Sequence, residues 1–313
     1  MKKALFALLL VVAAVTVRTA YGADKDEAMV EFVANQQLLQ DATESEKQGE
    51  YKRAARLFRK LGNNTQSPQL KAAYLLRQAD CFFAARKVRK ALPLYKELIE
   101  RYPLYIPYDH VVKHLRALAE SFVDGNGTFL GLRDKTAAIE TYELIIQGAP
   151  SIHVSLADRQ RLAELLVNEH RPEEAIAVYQ AILKQDAKLA GVRADVAMLL
   201  FDMSKRGDGD GSKLRMAVRQ AEMALQQDPS QPRNRELLDL ISQSKQIQAQ
   251  RSLDKAVFYL KPTHKNIVSA RRYLHDLIRE YPDTTAAQEA RRILDSNPEL
   301  TADAVAIPAV DPK

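Results

Sequence analysis

One pattern recurs along this chain: an alanine, a bulky residue four positions later, an aliphatic residue eight positions later and a proline twelve positions later. The four-residue offsets place these side chains on one helix face, and proline ends a helix because its nitrogen has no hydrogen to donate. The pattern therefore predicts a series of amphipathic helices with defined ends. The copies are Ala91, Tyr95, Ile99, Pro103; Ala138, Tyr142, Ile146, Pro150; Ala175, Tyr179, Leu183; Ala217, Ala221, Leu225, Pro229; Ala270, Leu274, Ile278, Pro282; and a degraded Ala54, Phe58.

A second amphipathic stretch precedes each of these helices, and repeated helix pairs are the tetratricopeptide plan. The predicted fold is an all-α tetratricopeptide-repeat superhelix, an α-solenoid of about six helix pairs over residues 23–297. The repeat alanines lie 37 to 53 residues apart, against about 34 in the standard repeat. The excess predicts a loop at Asp124–Gly131, a turn at Gly207–Gly211 and one long helix over about 233–260. Residues 298–313, with three prolines, predict a disordered tail.

The first 22 residues have the pattern of a secretory signal peptide. Lys2 and Lys3 precede an apolar run, Ala4–Val17, and small residues follow at Ala20 and Gly22. The run has 14 residues, fewer than the roughly 20 that span a bilayer as a helix, although a retained anchor is the alternative. We expect a periplasmic or secreted protein. Any contact that it makes with the outer membrane should be peripheral. No cysteine lies near the cleavage site, so no direct lipid anchor is expected.

Composition argues against several classes of function. The net charge is +6, but half of it lies in the predicted signal peptide and the rest is interspersed with acids, which disfavours nucleic acid as a partner. The single cysteine, Cys81, lies in an apolar run and is interpreted as a small buried hydrophobe. No P-loop, dinucleotide fingerprint or nucleophile motif is present, so we predict no cofactor and no catalysis.

Two histidines, His110 and His114, are one helical turn apart, a spacing at which two imidazoles can share a metal ion. The sequence assigns them no third ligand, and no His-Glu-x-x-His motif is present. A solvated helix flank is therefore the favoured interpretation, and no metal site is predicted.

Three stretches resemble the BamD-type family, the helical-repeat lipoproteins that assist assembly of outer-membrane β-barrels. The first is Val111–Pro150, which resembles the third repeat with its inserted Phe129-Leu130-Gly131 loop. The second is the pair Val257–Leu260 and Tyr281–Thr284, which resembles the last repeat, and the third is Ala91–Pro103, which resembles the second repeat. The resemblance implies a scaffold in outer-membrane protein assembly. The chain departs from the family in lacking the lipid-bearing cysteine and in having two extra repeats, around Ala175 and Ala217.

A neighbouring family is the alternative. The periplasmic coordinator of the Tol-Pal system ends in a similar Tyr-Pro and Ala-Ala stretch, here Tyr281-Pro282 and Ala286-Ala287. On either interpretation the partners are envelope proteins or their peptide segments, bound in the groove that the first helix of each pair lines. The oligomeric state is left open. The candidate groove residues are Asp80, Phe83, Gln160, Glu164 and Asn168.

Overall fold

The computed structural model describes residues 33–207, 209 and 211–301, and all regular structure within these ranges is helical. The predicted signal peptide and residues 302–313 of the predicted tail lie outside the described residues. The helices are α1 (residues 33–47), α2 (Tyr51–Asn64), α3 (Pro68–Ala84), α4 (Val88–Arg101), α5 (Tyr108–Asp124), α6 (Lys135–Gly148), α7 (Leu156–Asn168), α8 (Pro172–Gln185), α9 (Ala190–Arg206), α10 (Ser212–Gln227), α11 (Asn234–Leu260), α12 (Ile267–Glu280), α13 (Thr285–Ser296) and α14 (Pro298–Thr301). The predicted all-α fold is confirmed.

The helices form two compact units that divide between His170 and Arg171. The continuous solenoid over residues 23–297 stays a prediction. In the first unit α2 packs on α3, α3 on α4, α5 on α6 and α6 on α7. In the second unit α8 packs on α9, α9 on α10, α10 on α11 and α11 on α12. Helices that are neighbours in sequence are thus neighbours in space, as the predicted helix pairs require.

The repeat landmarks lie where the pattern predicts. Six alanines are fully buried and let the next helix approach closely: Ala54, Ala91, Ala138, Ala175, Ala217 and Ala270. The bulky residues four positions later are buried as well, with Tyr95 fully enclosed and Tyr142 and Tyr179 each 5% exposed. The apolar face of each second helix therefore forms the core of its pair.

The helices end at a constant distance from the alanine. In the four copies with a proline, the last helical residue lies two positions before it, as Arg101 does before Pro103. Helix α8 has Ala187 in place of the proline and still ends at the same point, Gln185. Loss of the buried apolar face, with or without a proline, therefore ends these helices.

The predicted long helix and the predicted inserted loop adopt the expected structure, whereas the start of the predicted tail differs. The long helix is α11, Asn234–Leu260, and the inserted loop lies between α5 and α6. At Gly125 in that loop φ is +82°, and an added Cβ would lie 2.2 Å from the Gly131 carbonyl oxygen, so only glycine fits. The tail prediction is corrected at its first four residues. Pro298–Thr301 form α14 because Leu300, 1% exposed, packs into the core of the second unit.

Cys81 lies on α3 in the core of the first unit, together with Ala54, Phe58 and Leu61. Burial, followed by the nearby Glu46 carboxylate, raises the pKa of its thiol to about 12. The thiol is therefore neutral and packs as a small hydrophobic group, as predicted.

Helices α4 and α6 approach closely at Gly148. A Cβ added there would lie 2.6 Å from Cγ2 of Ile99, a buried repeat landmark on α4. Isoleucine is branched at Cβ and has one strongly preferred rotamer in a helix, so it cannot turn away. A side chain at position 148 would therefore push the two helices apart.

We predict that Gly148→Ala lowers the free energy of unfolding by about 1 kcal/mol, because overpacking outweighs the gain in helix propensity. Gly62→Ala is the matched control, since the nearest atom to its new methyl group is Tyr74 Cβ at 3.8 Å. It should raise stability by up to about 1 kcal/mol. Urea unfolding followed by circular dichroism measures both, and equal effects in the two variants would contradict the close approach.

Candidate functional site

Two buried tyrosines connect the core of the first unit to its first helices. The Tyr95 hydroxyl on α4 donates to Asp80 Oδ1 on α3 over 2.6 Å, and the Tyr142 hydroxyl on α6 donates to Glu120 Oε1 on α5 over 2.8 Å. Burial and the adjacent carboxylate raise the pKa of both tyrosines, so the phenols stay protonated and donate. In two successive repeats, the tyrosine four positions after the repeat alanine therefore holds a carboxylate of the preceding helix in place.

Two arginine–carboxylate pairs connect α5 to α7. Arg116 donates from Nε and Nη2 to the two carboxylate oxygens of Asp158, 2.7 Å each, and Arg161 donates to both oxygens of Glu120 at 3.0 and 2.8 Å. Such bidentate pairs combine charge with fixed geometry. The hydrogen bonds from Arg161 hold the pKa of Glu120 below its usual range.

Asp158 also begins α7. Its carboxylate accepts from the amide and hydroxyl of Ser155, and its own amide donates to the Ser155 hydroxyl, which completes a capping box. Burial alone would raise the pKa of Asp158, but the hydrogen bonds from Arg116 and Ser155 outweigh it and lower the pKa. One carboxylate therefore fixes both the start of α7 and its attachment to α5.

Between α5 and α7 these side chains line an open depression of about 510 Å³. The charged side chains and the tyrosine hydroxyl described above for α5, α6 and α7 line it, and each already has a hydrogen-bonding partner. The lining residues are Arg116, Glu120, Tyr142, Ser155, Ala157, Asp158, Gln160, Arg161 and Glu164.

The predicted groove residues fall into separate places. Gln160 and Glu164 both line the depression, and Glu164 is exposed and paired with Arg161 at 3.0 Å. Asn168 lies at the last turn of α7, outside the lining, where its backbone carbonyl accepts from Lys135 Nζ at 3.5 Å. Asp80 and Phe83 lie on α3 in a second cluster.

The second cluster joins α3 to α5. His110 Nε2 lies 2.9 Å from Asp80 Oδ2, and His114 Nδ1 lies 2.9 Å from the His110 carbonyl oxygen. The two imidazole centroids are 4.1 Å apart, and the Phe83 ring meets His114 edge-on at 5.2 Å. Within the described chain, Asp80, His110 and His114 are the residues whose metal-ligating atoms lie within 4.8 Å of one another.

Sequence reasoning missed most of the charged residues that line the depression between α5 and α7. Arg116, Glu120 and Arg161 lie among many other charged residues in the sequence. Each pairs with a residue about forty positions away in the chain. One signal was available: the tyrosine that recurs four residues after the alanine carries a hydroxyl, and a buried hydroxyl needs a partner. That partner had to lie on the preceding helix.

Comparison with known proteins identifies the repeat. Residues 73–105, which span most of α3 and all of α4, match the family model for the tetratricopeptide repeat. The chain contains a tetratricopeptide repeat. No curated protein sequence matches the chain significantly.

Solved structures of tetratricopeptide-repeat proteins match at low identity. TTC0263 of Thermus thermophilus is 19% identical, over 67% of this chain and 96% of that chain, with a TM-score of 0.29. YrrB, described as having an unusual peptide-binding site, is 15% identical over 71% and 92%, with a TM-score of 0.32. The TPR2AB domain of yeast Sti1, in complex with an HSP90 peptide, is 12% identical over 85% and 98%, with a TM-score of 0.26. At these scores the structures carry no argument about site or ligand.

Among the described residues, no helix has the length and apolar character needed to cross a membrane.

We predict that Asp158→Asn lowers the free energy of unfolding by about 2 kcal/mol at pH 7, because Arg116 loses its charged partner and the capping box loses its charged acceptor for Ser155. The lowered pKa sets the sign: the stabilisation is present above the unfolded pKa of about 3.9 and is lost as pH falls through the folded value. The difference in unfolding free energy between the variant and the wild type should be constant above about pH 5. It should shrink as the pH falls below about 4.

The control for this prediction is Glu164→Gln, an exposed partner of Arg161 on the same helix. It should change stability by less than about 0.5 kcal/mol. Urea unfolding of both variants between pH 3 and pH 7 makes the comparison. A cost for Asp158→Asn that does not shrink in acid would show that the carboxylate charge is not responsible.

Proposed function

We propose that this protein is a non-catalytic scaffold of the cell envelope that binds segments of partner proteins along the first helices of its repeats. The fold supports this proposal, because stacked helix pairs present extended surfaces that suit protein and peptide partners. The observation that carries it is the depression between α5 and α7, where charged side chains and a tyrosine hydroxyl are held in place by contacts between the helices.

Preorganisation is what suits the depression to binding. The Arg116–Asp158 and Arg161–Glu120 pairs and the Tyr142 hydroxyl already fix its floor. A partner that docks there therefore loses little free energy to ordering side chains of the scaffold. Gln160 offers an amide donor and acceptor at the rim, and Glu164 offers an exposed carboxylate. Together they suit an extended segment that carries a basic side chain.

The finer proposal is a BamD-like role in assembly of outer-membrane proteins. The apolar N-terminal run with its two lysines supports export to the periplasm, and the Phe129–Gly131 insertion with the Tyr281–Thr284 helix stop supports the likeness to that family. Because no cysteine lies near the predicted cleavage site, the proposed role requires a partner protein, and not a lipid-modified cysteine, to hold this protein at the outer membrane.

Site-specific photo-crosslinking in intact cells tests both levels of the proposal. A photoreactive amino acid replaces Gln160 or Glu164 on α7, and the control positions are Glu100 on α4 and Glu140 on α6, exposed residues of second helices. We expect adducts at the two α7 positions at several times the yield of the control positions. Mass spectrometry of the adducts should identify subunits of the barrel-assembly machinery.

Each other outcome has a defined meaning. Equal yields at all four positions would contradict binding by the first helices. Adducts confined to Tol-Pal or peptidoglycan-synthesis proteins would overturn the BamD-like role and support the alternative coordinator. Failure of an export assay, with the protein retained in the cytoplasm, would overturn the envelope assignment.

A further inference from the structure

Helix pairing brings a third metal ligand to the two histidines of α5. His110 and His114 lie one turn apart on the same helix, and Asp80, thirty positions earlier, faces them from α3. All three side chains are half-buried, so an ion could reach them from solvent and still be partly shielded from it. Two imidazoles and a carboxylate are a ligand set that Zn²⁺ accepts in proteins.

The surrounding contacts orient the ligand atoms. His114 Nδ1 donates to the His110 carbonyl oxygen, which leaves the Nε2 lone pair of the neutral ring free to bind a metal ion. The Tyr95 hydroxyl holds Asp80 Oδ1, so Oδ2 faces His110. Rings of Phe83 and Tyr95 pack against His114. Fixing a histidine through its second nitrogen and a carboxylate through a hydroxyl is the support that metal ligands usually receive.

We propose that Asp80, His110 and His114 bind a divalent transition-metal ion, Zn²⁺ being the best match. Zinc–ligand bonds of about 2.0–2.2 Å place neighbouring ligand atoms about 3.3 Å apart in a tetrahedral site, and here they lie within 4.8 Å of one another. The proposed site therefore requires the side chains to rotate toward one another when the ion binds. The ion takes the place of the proton that His110 Nε2 shares with Asp80, and a fourth position stays open for water or a donor group of a bound partner.

A simple ion pair is the competing explanation, and the chain supplies a comparison. His153 Nδ1 lies 2.8 Å from Asp109 Oδ1, with its ring stacked on Tyr108 at 5.6 Å. This pair has a histidine, a carboxylate and an aromatic neighbour but no second imidazole in reach. It is the matched control, because it keeps the ion pair and lacks the third ligand.

The experiment uses the purified full chain without a histidine tag. Zn²⁺ is titrated in competition with a chromophoric chelator, and Co²⁺ is added separately to record its visible absorption bands. We expect one equivalent of saturable binding and a Co²⁺ spectrum with nitrogen ligands. His110→Gln, His114→Gln and Asp80→Asn should each weaken binding at least about tenfold, whereas His153→Gln should leave it unchanged.

The proposal is overturned if the wild type binds no saturable equivalent, if the three ligand variants bind as tightly as the wild type, or if His153→Gln loses as much affinity as they do. Circular dichroism checks the folding of each variant. His110, whose side chain is 41% exposed, is the decisive position should His114→Gln not fold. No partner protein enters the experiment, so its result is independent of the proposed scaffold function.

Discussion

The rest of this structure depends on close packing at one small residue per repeat. The six landmark alanines are fully buried, and a larger side chain there would separate the two helices of a pair. Because the helices are short, their stability comes from the apolar face they bury rather than from intrinsic propensity. Helix α8 illustrates this, since it ends at Gln185, where its apolar face ends, although Ala187 takes the place of the proline twelve positions after the alanine.

This packing also builds the polar surface of the first unit. A tyrosine one turn after the alanine is buried with its ring in the core, and its hydroxyl must find a partner. Tyr95 and Tyr142 both find a carboxylate on the first helix, Asp80 and Glu120. Those carboxylates in turn pair with His110 and Arg161. A core landmark thus sets the orientation of polar groups on the first helices.

The two clusters share one arrangement, a buried tyrosine that donates to a carboxylate on the preceding first helix, but differ in the groups that pair with that carboxylate. Between α5 and α7, bidentate arginine pairs leave an amide and an exposed carboxylate at the rim, which suits a protein segment. Between α3 and α5, the carboxylate of Asp80 pairs with a histidine instead of an arginine, and two imidazoles lie beside it, which suits a metal ion. The difference lies in which side chains face the carboxylate that the buried tyrosine holds.

The sequence by itself determined the helices, their ends and their buried faces, because these follow from local spacing along one helix. It placed α11 within a residue of its start and predicted Gln160 and Glu164 on one helix stripe. It did not predict the Arg116–Asp158 pair, the division at His170 or the burial of Leu300. Above all, it assigned His110 and His114 no third ligand. Only the tertiary structure decided these features, since each depends on contacts between residues far apart in the chain, which periodicity within a helix does not specify.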